Sequence, residues 1–458
     1  MIRTVLFVTT LALVACGGKK PPPPPVDGGM DDGGTDSGIP DAGRPRGMDP
    51  ASGFTVALPL PDSTATTLRV GVSAALALDQ YGQPMLACVN TDPNGDGAPD
   101  DNQVVFTRWN GVTKAYEPPV ILSTVGDIDV ADPSQQVSLA RDSVSGTIYA
   151  AFVNQDKAVK VAYSLDEGKT WSQETASDNP GAHTLKNPQV AAHGDTVFVA
   201  YLEADSRCTG AGCSDIVWRS RTGSGSYSAR ATMPVPAGYD GATLTPYQLA
   251  VDSQGKAAIA AAFEQTAGLD VAIGFFRTEQ TSSALVTTSG STDNTATNDK
   301  PSVSLAFDGA NVPSVAFHLL TPTANTQLWY ATASASDGAV WGAPVAIPRN
   351  SAGAGMEGTR WYQSLAIDSN GKRVIGADHE SSPTPQQCSG GPKIARSNDG
   401  NTWTVCRPDT GGATGTFGFA GEFIHAGFHA AGKATLLFNY ENRSNPTIHA
   451  GVILWRDP

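Results

Sequence analysis

One short pattern recurs along this chain more regularly than anything else in it: an apolar strand, a turn carrying Asp or Gly, and a second apolar strand. It reads VSAALALDQYGQPMLACV, QVSLARDSVSGTIYAAFV, PQVAAHGDTVFVAYL, YQLAVDSQGKAAIAAAFE, PSVSLAFDGANVPSVAFH, YQSLAIDSNGKRVIGADH and HAGFHAAGKATLLFNYE. A third β-rich run follows in most units, among them QVVFTRW, VKVAYS, DIVWRS and HAGVILWR, and several units add an aromatic residue and a Pro-Val-like fourth run, as in WGAPVAIP. The units recur every 50 to 65 residues, roughly, which is the spacing of a repeat architecture. Long helical periodicity is absent, while Gly (49) and Pro (32) punctuate the runs, so the fold class is all-β.

A four-stranded unit cannot bury both of its faces alone, so its copies must pack face to face in a ring. Seven such units fill the chain from Val72 onward and predict a β-propeller of seven blades, with six as the alternative. The last unit stops after its third run, at Trp455. GFTVALPLP, Gly53 to Pro61, precedes the first unit and can supply the missing fourth strand, which would leave no open sheet edge.

SLDEGKTW (Ser164, Asp166, Gly168, Trp171) falls between the third and fourth runs of the second unit. SNDGNTW (Ser397, Asp399, Gly400, Trp403) holds the same place in the sixth, and SASDGAVW, Ser334 to Trp341, is a displaced variant in the fifth. These turns resemble the Asp-box, or BNR repeat, of sialidases and of many non-catalytic propellers. There the Asp accepts backbone hydrogen bonds, the Gly permits positive φ and the Trp packs between blades. The resemblance implies a structural turn on the face away from any active site. A sialidase would also need an Arg-Ile-Pro motif, three arginines and a Tyr/Glu pair with an Asp acid. AIPRN at 346–350 has the letters in another order, and Arg69, Arg360 and Tyr362 are isolated pieces of such a set.

The first residues, MIRTVLFVTTLALVAC, place a basic Arg3 before an apolar run too short to span a bilayer, the pattern of a secretory signal peptide over residues 1–15. Leu13-Val14-Ala15-Cys16 resembles a bacterial lipobox, which implies a covalent lipid on Cys16; Gly17 at the next position favours the outer membrane, with the periplasmic or surface face left open. Residues 16–51, with five consecutive prolines and an Asp/Gly/Pro run, read as a disordered tether, and residues 52–458 as the propeller. A net charge of -14 with no basic cluster beyond Lys19-Lys20 argues against nucleic acid as a partner.

DPNGDGAPD offers oxygen ligands at alternate positions, Asp92, Asn94, Asp96, the carbonyl of Ala98 and Asp100, with Gly97 at the sharp turn. Gln103 stands where an EF-hand has its Glu, and the loop resembles instead the calcium loops of integrin-type propellers, implying a structural Ca2+. Of six cysteines, Cys208 with Cys213 and Cys388 with Cys406 are plausible disulfides in an exported chain, and Cys88 is left as a buried thiol.

Aligning the units gives the residues expected to rim the mouth that propellers use for ligands. The ends of the second strands supply Asn90, Asn154, Glu203, Glu264, His318, His379, Glu380 and Glu441. The loops between units supply Asn187, Tyr247, Arg360, Trp361, Tyr362, Glu422 and His425. Arg, Trp and Tyr beside carboxylates suit a glycan or a peptide. The expected function is therefore non-catalytic binding of a glycan, peptide or partner protein at the cell envelope, with an exo-acting glycoside hydrolase of divergent site as the alternative.

Overall fold

The computed structural model describes residues 55–59, 74–90, 103–113, 115–123, 137–178, 184–204, 214–239, 247–264, 270–288, 303–320, 326–347, 363–377, 393–406, 419–428, 434–441 and 451–456 of the chain. Residues 1–44 form one unit, which lies outside them, and every strand belongs to the second unit, residues 45–458. No helix among the described residues is long and apolar enough to cross a membrane.

The described strands make antiparallel sheets that repeat one plan. In the second sheet Val137–Arg141, Ile148–Val153, Val159–Ser164 and Ser172–Thr175 pair in sequence order. The same order holds from Thr184–His193 to Ala231–Thr232, from Gln248–Val251 to Ala284–Thr288, from Val303–Phe307 to Val345–Ala346 and from Gln363–Ile367 to Thr404–Cys406. The first sheet, from Ala74–Leu78 onward, splits its outer strand into two short pieces, Ala115–Tyr116 and Val120–Ile121, both paired with Gln103–Asn110. The last sheet takes its outer strand from the other end of the sequence: Thr55–Pro59 pairs antiparallel with Gly451–Arg456, Thr55 opposite Trp455 and Pro59 opposite Gly451.

Consecutive sheets lie side by side through their first strands, and the strand Phe419–Phe428 packs against Ala74–Leu78, so the succession closes on itself. The reason is visible in the strand Ala257–Glu264. Its odd positions, Ala257, Ile259, Ala261 and Phe263, join the apolar cluster shared with the sheet before; Ala258, Ala260 and Ala262 join the cluster shared with the sheet after. A strand buried on both faces must be apolar at every position, and small at many of them, for neighbouring sheets to approach.

Side chains stitch the first strands together. The Val190 N–H donates to Ser138 Oγ (3.0 Å), Leu249 N–H to Gln189 Oε1 (2.8 Å), Leu365 N–H to Ser304 Oγ (2.9 Å) and Ala426 N–H to Ser364 Oγ (2.9 Å). Each satisfies, from the neighbouring sheet, a backbone donor on the strand that has no further strand inside it. Four of the turns after first strands are equally regular. Asp79, Asp252, Asp308 and Asp368 each accept backbone N–H bonds from the second and fourth residues after them, at 2.7 to 2.9 Å. This is the Asx-turn chemistry behind the recurrent Asp of the repeat.

Three turns between third and fourth strands share a second device. The indole N–H of Trp171 donates to the Gly168 carbonyl (2.9 Å), Trp341 to Gly338 (2.8 Å) and Trp403 to Gly400 (3.0 Å). Each indole also meets an aromatic ring of the preceding sheet: Phe106 at 4.9 Å between ring centres, Phe275 at 5.2 Å and Tyr330 at 5.0 Å. In two of the turns a serine finishes the job, Ser164 Oγ accepting from Gly168 N–H (2.7 Å) and Ser397 Oγ from Gly400 N–H (2.8 Å). In the displaced fifth-sheet turn Ser334 Oγ instead donates to the Val340 carbonyl (3.2 Å), although Trp341 keeps its place. The Asp166 carboxyl, held mainly by the backbone N–H and then the hydroxyl of Thr170, is lowered to about 2, so this turn keeps its charge to acid pH.

Candidate functional site

In an antiparallel four-stranded sheet the first–second and third–fourth turns lie at one end, and the second–third turns and sheet-to-sheet connections at the other. The Asp and Trp turns occupy the first, hairpin end; Gln80 Nε2 of the first sheet reaches Glu167 of the second there (3.3 Å), as does Arg108 (3.0 Å). Of the rim candidates with described surroundings, Asn154, Asn187, Glu203, Tyr247 and His318 stand at or near the opposite, connection end, whereas His425 lies partway along its strand, opposite Leu437.

Six of these candidates have described surroundings. Asn154 closes a second–third turn, its Oδ1 accepting from Ala158 N–H (2.9 Å). Glu203 is buried at the end of Thr196–Ala204, where Arg230 holds it, Nη1 at 3.0 Å from Oε1 and Nη2 at 3.0 Å from Oε2. Tyr247 is buried, donates its hydroxyl hydrogen bond to the Asn187 carbonyl (2.7 Å) and has its phenol pushed well up by burial. Asn187 takes positive φ (48°) where the register of Thr184–His193 shifts between Lys186 and Gln189, and its buried Oδ1 has no hydrogen-bond partner. His318 is 1% exposed, and burial drops its pKa to about 3 although a hydrogen bond with Gln363 opposes the drop. His425 is half-buried on Phe419–Phe428, and desolvation lowers it to about 4.

Glu203, Tyr247 and His318, read from the sequence as rim residues, are therefore enclosed and engaged. Glu203 and His318 stand one and two residues before the ends of second strands, and Tyr247 just before a first strand, where all three are buried, so these side chains turn between sheets instead of outward. Tyr247 and Asn187 are the candidates brought into contact. Glu264, Glu422 and Glu441 lie on strands whose backbone is described but whose side chains are not. Arg360, Trp361, Tyr362, His379 and Glu380 lie outside the described residues, as do Asp92, Asn94, Asp96, Ala98 and Asp100, Cys16, Cys208, Cys213 and Cys388; Cys406 ends a strand. Cys88 is buried and free, and burial pushes its thiol up to about 12.

Two residues of this end were missed by the sequence reading. Arg230 follows a featureless polar stretch, and only the fold brings it to Glu203. Tyr201, one strand position before Leu202, is a plain core tyrosine by pattern, yet its buried hydroxyl has no hydrogen-bond partner and its pKa rises to about 12, through burial and then the charges of Asp178 and Glu203.

His318 gives a pH prediction. Its folded pKa lies below its unfolded value of 6.5, so the histidine's contribution is fully present above pH 6.5 and is lost as pH falls toward 3. At pH 5 the loss is about 2 kcal/mol. Urea midpoints between pH 7.5 and 5 should fall in the native chain and fall less in His318→Asn; equal slopes would remove His318 as the cause.

No protein-family model matches the chain, and no curated protein matches it. Among solved structures, the BP39L lectin from Burkholderia pseudomallei is similar at 12% identity over 85% of this chain and 99% of its own, with a TM-score of 0.51. The fold is a β-propeller. Weaker likenesses accompany it: a Penicillium chrysogenum alpha-L-arabinanase (13% identity, 88% and 97% of the two chains, TM-score 0.46) and the Aleuria aurantia lectin, described as a six-bladed beta-propeller (12%, 75% and 96%, TM-score 0.38). At such identity the likeness speaks to fold alone. In the propeller, Asn154, Asn187 and the Glu203–Arg230 pair stand toward the connection end.

Proposed function

We propose that this chain is a cell-envelope lipoprotein whose seven-bladed propeller binds carbohydrate without acting on it. The observation that carries the reading is the condition of the mouth residues: Glu203 is committed to Arg230, Tyr247 to Asn187, and His318 is buried and neutral. A glycosidase needs two carboxyl groups about 5–10 Å apart, one free to donate a proton; among the rim candidates with described side chains the one carboxylate, Glu203, is held by an arginine.

The seven sheets of the described residues and their closure through Thr55–Pro59 and Gly451–Arg456 support a count of seven blades. The Trp171 and Trp403 turns are Asp-boxes in this reading, and their hydrogen bonds suit a scaffold role. Asn90 and Gln103 pair across the loop at 91–102, so that loop is closed at its base; Asp92, Asn94, Asp96, the Ala98 carbonyl and Asp100 would hold calcium there and brace the first blade. Cys16 would carry the lipid, at the outer membrane.

A glycan array and a fluorogenic glycoside panel, run on the full chain with calcium and with chelator, test this. Binding without turnover, weakened at least tenfold by Arg360→Ala or Trp361→Ala, is the expected result. Turnover abolished by Glu380→Gln or Tyr362→Phe would establish the hydrolase instead, and silence in both assays would point to a peptide or protein ligand.

A further inference from the structure

The hairpin end carries an asymmetry that neither the scaffold nor the mouth explains. Among the described residues the four most exposed large apolar side chains are Leu165 (79%), Val112 (71%), Val144 (63%) and Val340 (63%). Every one of them sits on a hairpin-end turn: Val144 after Val137–Arg141, and Val112, Leu165 and Val340 between third and fourth strands. Val112, Val144 and Leu165 belong to the first and second sheets, which are neighbours and are tied across this face by Arg108 with Glu167 and by Arg141 with Gln80 (3.1 Å). None of these turns needs an apolar tip. The Ser164–Trp171 turn is held by Ser164, Asp166, Gly168 and Trp171, and Leu165 touches none of that chemistry.

The chain's own path says what covers this face. Gly451–Arg456 runs toward the hairpin end, and Thr55 lies opposite Trp455, so the polypeptide enters the propeller at that same end. Before Thr55 the sequence holds 38 residues back to Gly17 and, next to it, Cys16. We infer that the hairpin end is the membrane-facing side, with Leu165, Val144 and Val112 touching the lipid surface and the mouth turned away from it. The inference rests on the reading of Cys16 as lipidated. A short apolar tip at the headgroup boundary gains by burial without any need to span. A chain of net charge -14 suits a zwitterionic leaflet, since anionic lipid would repel it.

Full-length lipidated protein floated with phosphatidylethanolamine/phosphatidylcholine vesicles tests this, using a spin label at Leu165→Cys and, on the opposite end, at Asp156→Cys, each corrected for labelling of the parent chain. Lipid-soluble oxygen should relax the label at 165 at least threefold more than a water-soluble nickel chelate does, relative to the same ratio at 156. Equal water access at both positions in floated protein overturns the inference and leaves the anchor standing. Shielding of 165 from both reagents would mean a protein cover and overturns it too. Protein that does not float, with an unmodified Cys16 by mass spectrometry, removes the anchor and this inference together.

Discussion

Replacing Arg277 by methionine should destabilise the propeller by about 3–5 kcal/mol, the range for stripping one partner from a buried ion pair. Arg277 and Asp252 are 3% and 1% exposed at the side chain, and Nη1 lies 2.7 Å from Oδ2. The other nitrogen donates to the carbonyls of Asn311 (3.0 Å) and Ser336 (2.6 Å) in the next blade, and the guanidinium stands 4.6 Å over the Phe307 ring. The substitution thus leaves a buried carboxylate and two carbonyls short of donors while removing a bond between blades. Asp252 also accepts from Gln254 and Lys256 N–H, so its charge does not simply leave with its partner. Denaturant midpoints measure the loss. Adding Asp252→Asn to Arg277→Met should recover part of it, because the two residues act as one unit. A cost below about 1 kcal/mol for Arg277→Met would show that the pair contributes little beyond its own desolvation.

Gly338→Ala should cost about 2–5 kcal/mol, for two reasons that can be separated. Gly338 has φ of +67°, where a Cβ costs about 1–2 kcal/mol. The added carbon would also stand 2.2 Å from Phe275 Cε1 and 2.7 Å from its Cδ1. Phe275 is fully buried and packed edge-on against Trp341 of the same turn, so there is no open space for it to move into, and such overpacking costs about 1–3 kcal/mol more. Gly194→Ala is the control. Its φ is +59° but nothing lies within 4 Å of the new carbon, so it should show the backbone cost alone. Equal losses at the two positions would mean that the seam between the fourth and fifth blades is looser than its contacts imply.

Both residues show where the sequence stopped being legible. The strands themselves were plain, because a chain buried on two faces writes an apolar residue at every position, as in Ala257–Phe263. The Asp of the first turns at 79, 252, 308 and 368 and the Trp of the third–fourth turns were legible too, since their partners lie two to four residues away. The joining of Thr55–Pro59 to the last sheet could be argued from one missing strand and one spare. The bonds of Arg277 to Ser336, Gln189 to Leu249 and Ser304 to Leu365 reach about one repeat along the chain and leave no local trace. Glu203, Tyr247 and His318 look like rim residues by alignment of the units. Only the packing between blades shows that their side chains turn inward, where Arg230, Asn187 and Gln363 meet them. The richest stretch of the sequence, Arg360 to Tyr362 with His379 and Glu380, lies outside the described residues, so the mouth is known from its scaffold side.

The pairing of Thr55–Pro59 with Gly451–Arg456 fixes an order of assembly. A growing polypeptide can stack each blade on the one before it, but Thr55–Pro59 must wait for Gly451–Arg456, which is made long after it. Until Arg456 has been synthesised the outermost edge of the seventh sheet has no occupant, and an open edge accepts any extended chain that reaches it. The waiting strand in one copy and the waiting edge in another are complementary, so crowded synthesis would favour chains that exchange their first strands and interlock. Slow, dilute refolding should return single rings, and concentrated refolding should return linked pairs.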